Sequence, residues 1–196
     1  MANIFLPRIT RIFTDEGQVF FFVRFRVYLC SSVANPMLTI RTSNPGDTQL
    51  ILAYIAELAE YERAPECAVA TPESIQHHVF GEHPLMHAEM AEWNGKPAGF
   101  AFWYFNFSSW EGKPGIYLED LWVRPEFRGK GIGRSLLIHL AKVAVARGCT
   151  RYVWQVLDWN TPAIEFYKAM GAVVKEDWLT CRVEGEALRK LAEMGQ

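Results

Sequence analysis

Tyr117-Leu118-Glu119-Asp120-Leu121-Trp122-Val123 runs through Arg124 to Phe127 into Arg128-Gly129-Lys130-Gly131-Ile132-Gly133-Arg134. The apolar stretch Ile116 to Val123 reads as a strand. Beyond the glycines, Ile132, Leu136, Leu137, Leu140, Val143 and Ala144 recur on one helical face, and Gly148 supplies a C-cap. The unit is therefore strand, glycine turn, helix. The first amides of a helix have no intrahelical partner, and the helix dipole favours negative charge at that end. Glycines allow close backbone approach to a phosphate, and Arg128 and Lys130 add positive charge. The turn has the chemistry of a pyrophosphate cradle. It is not a Walker A loop, because no Lys-Ser/Thr follows its last glycine, and its glycine pattern is not a Rossmann fingerprint. Taken alone, it is equally compatible with a purely structural turn.

Upstream, Leu38 to Arg41 reads as a short strand, and Asn44-Pro45-Gly46-Asp47 provides a turn and N-cap. Leu50, Ile51, Tyr54, Ile55 and Leu58 predict a helix to about Arg63, which Pro65 ends. Thr71-Pro72-Glu73-Ser74 opens a second helix, with Ser74 at the capping-box position in place of a carboxylate. Met86 to Trp93 and Pro97 to Phe107 flank Asn94-Gly95, a strong hairpin signal. A polar loop from Ser108 to Gly115 precedes the strand already described. Downstream come a strand at Arg151 to Leu157, a helix at Thr161 to Met170 capped by Gly171, a strand at Trp178 to Val183, and a short charged helix. An antiparallel meander feeding a helical crossover implies an α/β fold: a mixed, mostly antiparallel sheet flanked by helices.

The chain has 196 residues, half of them hydrophobic, which fits one domain with an extension. A net charge of -2 offers no global basic field for nucleic acid or anionic lipid, and leaves room for a local acidic site. Cys30, Cys67, Cys149 and Cys181 form no CxxC, and no histidine stands at ligand spacing from them. No metal site and no disulfide framework are expected, and a reducing, cytoplasmic setting is the default. His77 and His78 are neighbours on a helix and point to different faces, which makes them surface histidines. Residues 1 to 36 stand apart as an extension. Their apolar run Val19 to Cys30 is interrupted by Arg24 and Arg26 and is too short to span a bilayer. It could be an extra strand, a membrane-touching arm or an artefact of the assigned gene start, since Met37 opens the domain naturally.

Two motifs together resemble the GCN5-related N-acetyltransferases (GNAT). Arg128 to Gly133 matches R/Q-x-x-G-x-G/A, and Asn160-Thr161-Pro162-Ala163-Ile164-Glu165-Phe166-Tyr167 matches N-x-x-A-x-x-F-Y, in the family order and spacing. The resemblance covers about residues 37 to 193. Glu57-Leu58-Ala59-Glu60-Tyr61-Glu62, Phe80-Gly81-Glu82-His83-Pro84 and Val156-Leu157-Asp158-Trp159-Asn160 are similar to the diamine and thialysine branch. Ser108 stands where polyamine enzymes carry Asp, and Gly185 to Ala192 is more like the thialysine type. The resemblance thus implies acetyl-CoA as cosubstrate and a small amine or amino-acid-like acceptor rather than spermidine. It also implies a homodimer with sites near the subunit interface.

By that resemblance, Leu121, Trp122 and Val123 would hold the pantetheine arm through backbone groups freed by a strand bulge. Arg128, Gly129, Lys130, Gly131, Ile132, Gly133 and Arg134 would hold the pyrophosphate. Asn160 and Ala163 would contact the same cosubstrate, although Asn160 is also a helix N-cap by its own chemistry. Tyr61, Glu62, Trp110 and Glu119 would face the amine, where carboxylates and aromatic faces suit a cation. An alkylammonium, with a pKa of about 10.4, must lose a proton before it attacks. Glu119 is the candidate base, directly or through water, and Tyr167 the candidate acid for the leaving thiolate. A salt-bridged strand carboxylate and a core aromatic are the structural alternatives for those two. The competing functions are a protein lysine or N-terminal acetyltransferase, and an acyl-CoA-binding regulatory module without catalysis.

Overall fold

The computed structural model describes residues 10–13, 19–22 and 37–195. The chain forms two compact units, Met1–Asn35 and Pro36–Gln196. In the first, β1 (Thr10–Phe13) and β2 (Val19–Phe22) form an antiparallel pair with Thr10 opposite Phe22. The rest of the Val19 to Cys30 run lies outside the described residues.

In the second unit, five strands lie in the order β3 (Leu38–Thr42), β4 (His87–Trp93), β5 (Lys96–Ser108), β6 (Lys113–Val123) and β7 (Arg151–Val153). All neighbours are antiparallel except β6 and β7. Asn94 and Gly95 both take positive φ between β4 and β5, as a two-residue primed turn requires.

Strand alternation divides the core into two layers. Phe100 and Phe102 face α1 (Thr48–Tyr61) and α2 (Pro72–Phe80), packing with Ile51, Tyr54, Ile75 and Val79. Ala101 and Trp103 face the other way, towards Leu136, Leu137 and Leu140 of α3 (Ile132–Ala146). The half-buried Phe166 and Tyr167 of α4 (Thr161–Ala169) pack on the same layer. Fully burying side chains of this size contributes roughly 1.5–3 kcal/mol each, so both faces of the sheet are firmly covered. The start of α2 follows the sequence reading with one refinement. Ser74 Oγ accepts from the Thr71 amide at 3.0 Å while Thr71 accepts from the Ser74 amide, so a hydroxyl completes the capping box without a carboxylate.

Three expectations are corrected. β5 and β6 run on to Ser108 and from Lys113, so the polar loop shrinks to a tight hairpin. β7 stops at Val153 rather than Leu157. Trp178 to Val183 forms no strand, because no neighbouring strand among the described residues pairs with it, and every residue from Val173 to Gly195 is exposed. The amphipathic α5 (Gly185–Glu193) follows, with Leu188 and Leu191 about half exposed.

Candidate active site

The site begins where two parallel strands part. β6 pairs with β5 up to Val123, yet with β7 only along Gly115 to Tyr117. Beyond Tyr117, no described strand covers that edge of β6, so its backbone groups face open space. The gap widens into a cleft of about 620 Å³, closed at one end by the glycine turn and bounded by α4 and the end of α1. The opening comes from β7 ending at Val153, not from a bulge at Leu121 to Val123. Those three residues pair in register with Ala101, Phe100 and Gly99. The bulge lies earlier: Phe102 faces Asp120 and Trp103 faces Leu118, leaving Glu119 as the extra residue.

The turn has the geometry that anion binding requires. Gly129 and Gly131 take φ of 75° and 79°, values that side-chain-bearing residues rarely adopt. Gly131 is the N-cap of α3 and brings no side chain to cap it, so the first-turn amides remain available. Arg128 and Arg134 line the cleft beside them. The phosphates and apolar arm of a coenzyme A thioester fit this set: helix start and cations at one end, Leu118, Leu121, Val123 and Phe166 along the wall.

A connected network holds the walls together. Arg128 Nε donates to the Val123 carbonyl at 3.0 Å, and its guanidinium lies 4.7 Å from the Trp122 ring and 5.0 Å from the Tyr61 ring. The Trp122 indole N–H donates to Glu57 at 2.7 Å, and Arg124 holds the same carboxylate at 2.7 Å. Tyr61 donates its hydroxyl proton to Asn160 Oδ1 at 3.2 Å, the oxygen that also accepts the Ala163 amide to cap α4. The end of α1, strand β6, the turn and the start of α4 are thereby tied to one another.

Fifteen of the seventeen site residues anticipated from sequence line the cleft: Tyr61, Glu62, Glu119, Leu121, Trp122, Val123, Arg128, Gly129, Gly131, Ile132, Gly133, Arg134, Asn160, Ala163 and Tyr167. Lys130 does not. Its ammonium donates to the Glu126 carbonyl at 2.6 Å and lies over the Phe127 ring, outside the cradle. Trp110 sits at the β5–β6 hairpin tip, 88% exposed, with its ring 6.4 Å from that of Trp178. It is absent from the cleft because the hairpin projects away from it.

Charge in the cleft is acidic where the strands part. Burial, with the charge of Glu62 nearby, pushes the Tyr167 hydroxyl up to about 12, so it carries its proton at neutral pH. Partial burial raises Glu62. Burial, with Glu119 and Glu62 as like charges, pushes Asp120 up to about 7. Sequence reasoning did not single out Asp120. Regular alternation assigns it to the face opposite Glu119, and the register shift against Phe102 and Trp103 interrupts that alternation where both residues line the cleft. Glu57 and Arg124 were missed for another reason: an ion pair between a helix and the residue just after a distant strand leaves no local sequence signal. Among the described residues, no three His, Cys, Asp or Glu side chains gather in a way that would hold a metal ion.

This splayed mixed sheet with its glycine-turn cleft is the architecture of a coenzyme A-dependent acyltransferase. The Acetyltransferase (GNAT) family profile matches residues 51–172, and the chain belongs to that family of acetyl-CoA-using enzymes. It is 41% identical over 164 residues to a thialysine N-epsilon-acetyltransferase of Sus scrofa, covering 78% of this chain and 96% of that one. The corresponding protein of Caenorhabditis elegans is 35% identical over 157 residues, covering 79% and 96%. An L-ornithine N5-acetyltransferase of Arabidopsis thaliana is 43% identical over 97 residues, half of this chain and 42% of that one. Among solved structures, an integron cassette protein from V. cholerae aligns with a TM-score of 0.68 at 30% identity, covering 80% of this chain and 98% of that one.

Proposed function

We propose that the protein transfers the acetyl group of acetyl-CoA directly to a primary amine of a small molecule: thialysine, ornithine, lysine or a related diamine. The observation that carries this reading is one cleft. In it the glycine turn, the proton-bearing Tyr167 and the carboxylates Glu62, Glu119 and Asp120 come together. The names of the relatives supply the acceptor class. Acetyl-CoA brings an electrophilic thioester. Gly129, Gly131, Ile132, Gly133, Arg128 and Arg134 hold its phosphates, and the open edge at Leu121 to Val123 holds its arm, with Asn160 and Ala163 beside it. Tyr61 and Glu62 receive the cationic acceptor. The Glu119–Asp120 pair supplies the proton acceptor, Glu119 being the member that the sequence singles out. Tyr167 gives its proton to the departing sulfur.

Residues 37–196 are read as the catalytic domain and residues 1–36 as an extension outside it. A homodimer is supported by apolar surface: Trp178, Leu179, Val183, Leu188 and Leu191 on the C-terminal stretch are exposed, and Phe107 and Trp110 on the projecting hairpin are 65% and 88% exposed. Cys67, Cys149 and Cys181 are free thiols, in keeping with a cytoplasmic setting. Among the described residues, no helix is long and apolar enough to cross a membrane.

CoA release by the purified protein, measured with thialysine, lysine, ornithine, putrescine, spermidine and a lysine peptide, tests the reading. Turnover of the small amino-acid-like amines ahead of the peptide is expected. A preference for the peptide would favour a protein acetyltransferase. Tight acetyl-CoA binding with no turnover would favour a regulatory module.

A further inference from the structure

We propose that Arg63, stacked on Trp159 at the mouth of the cleft, binds the α-carboxylate of the acceptor and so selects amino acids over plain diamines. The inference rests on the acetyltransferase reading above and narrows its acceptor class. Its first support is the way α1 ends. The Ala64 amide donates to the Ala59 carbonyl at 2.9 Å and the Arg63 amide to the Glu60 carbonyl at 3.1 Å, the pattern of a helix end that glycine ordinarily completes. Arg63 takes that place with φ 64°, a left-handed value that a side chain disfavours. Asn94 is the one other described residue that combines a side chain with a positive φ, and the hairpin turn accounts for it.

The second support is where the side chain goes. Tyr61, Glu62 and Asn160 line the cleft, so Arg63 and Trp159 stand at its rim, one beside each wall. The Arg63 guanidinium lies 4.8 Å from the Trp159 ring, and that ring lies 6.0 Å from the Tyr61 ring. Stacking holds a guanidinium in place and leaves its N–H edge for an anion. Other cations around the cleft are engaged. Arg124 is paired with Glu57, Arg128 donates to the Val123 carbonyl, Lys130 donates to the Glu126 carbonyl, and Arg134 belongs to the phosphate turn. Arg63 is exposed and enters none of the ion pairs formed among the described residues, although Glu62 is its neighbour in sequence.

An amino-acid acceptor carries charge of both signs. Its side-chain ammonium suits Glu62, Glu119 and Asp120 inside the cleft, whereas those carboxylates repel its α-carboxylate. In thialysine or lysine the two groups are about six bonds apart, roughly 7 Å when extended. A cation one aromatic ring beyond Tyr61 is placed for the far end of such a molecule. A guanidinium meets a carboxylate through two parallel N–H···O bonds. A diamine brings a second ammonium to the same place, and Arg63 repels it.

The experiment compares kcat/KM for thialysine and for its carboxamide, which lacks the negative charge, in the wild type, Arg63→Gly and Arg63→Lys. Calorimetric Kd values of the two amines for the CoA-bound protein give a readout independent of turnover, and acetyl-CoA Kd is measured for each variant. Glycine suits φ 64°, so Arg63→Gly removes the side chain while the end of α1 keeps its shape. The wild type should favour thialysine by about 10-fold, through KM. Arg63→Gly should bring that ratio to about one, and Arg63→Lys should keep part of it, because lysine retains the charge without the planar fork. An unchanged ratio in Arg63→Gly, an equal loss on both amines, or a loss that follows a raised acetyl-CoA Kd would overturn the inference and leave acetyl transfer intact. A wild type that binds acetyl-CoA and turns over no amine would overturn the functional reading, and this inference with it.

Discussion

Replacing Asp120 by Asn should stabilise the protein at about pH 8 and change little at about pH 4. In the unfolded chain this carboxyl ionises near its ordinary 3.8; in the folded protein, burial with Glu119 and Glu62 moves it to about 7. Between those values the unfolded chain has lost a proton that the folded protein keeps. Ionisation therefore favours unfolding, and stability falls as pH rises from about 4 to about 7, then levels. A shift of roughly three units, at about 1.4 kcal/mol each, sets an upper bound of about 4 kcal/mol. Because Asp120 is not wholly withdrawn from water, about 2–4 kcal/mol is the expected cost at pH 8. Asn keeps the shape and carries no charge, so it should recover most of that. Urea unfolding at both pH values measures the effect, and the midpoint at pH 8 should rise by roughly 1–2 M for a protein of this size. An equal gain at both pH values, or a loss at pH 8, would show that ionisation of Asp120 does not oppose folding. The same substitution is expected to slow the reaction, so stability and activity would move in opposite directions.

Other perturbations have equally definite outcomes. Tyr167→Phe removes the proton held at about 12 and should lower kcat by about 100-fold, with acetyl-CoA Kd unchanged in calorimetry. Gly131→Ala forces a side chain into φ 79° and should destabilise the fold by about 1–2 kcal/mol in urea titration, while raising the acetyl-CoA Kd. Glu57→Ala leaves the Arg124 guanidinium and the Trp122 indole without their shared acceptor, and urea titration should show a loss of about 1–3 kcal/mol.

Much of the fold is legible because it is local. The helix face of Ile132, Leu136 and Leu140, the Asn94-Gly95 turn and the caps at Thr71 and Asn160 are all written in neighbouring residues. The cradle is legible for the same reason, since φ above zero at Gly129 and Gly131 leaves a sequence trace. What escaped depends on partners distant in sequence. The bulge at Glu119 is set by register against Phe102 and Trp103, so Asp120 could not be assigned to the cleft from alternation. Lys130 resembles a phosphate ligand by position, yet the Glu126 carbonyl holds it elsewhere. Trp178 to Val183 has strand composition, but composition does not provide a neighbouring strand, and among the described residues the segment has none and is exposed.

Direct acetyl transfer requires both substrates to be bound in this cleft at once, with no acetyl group passing through the protein. Rapid-quench analysis with radiolabelled acetyl-CoA and thialysine follows the acetyl group through a single turnover. One labelled N-acetyl amine should form for each CoA released, with no label on the protein at any time. Label accumulating on the protein before product, or label remaining in bound acetyl-CoA with every amine tried, would rule out direct transfer.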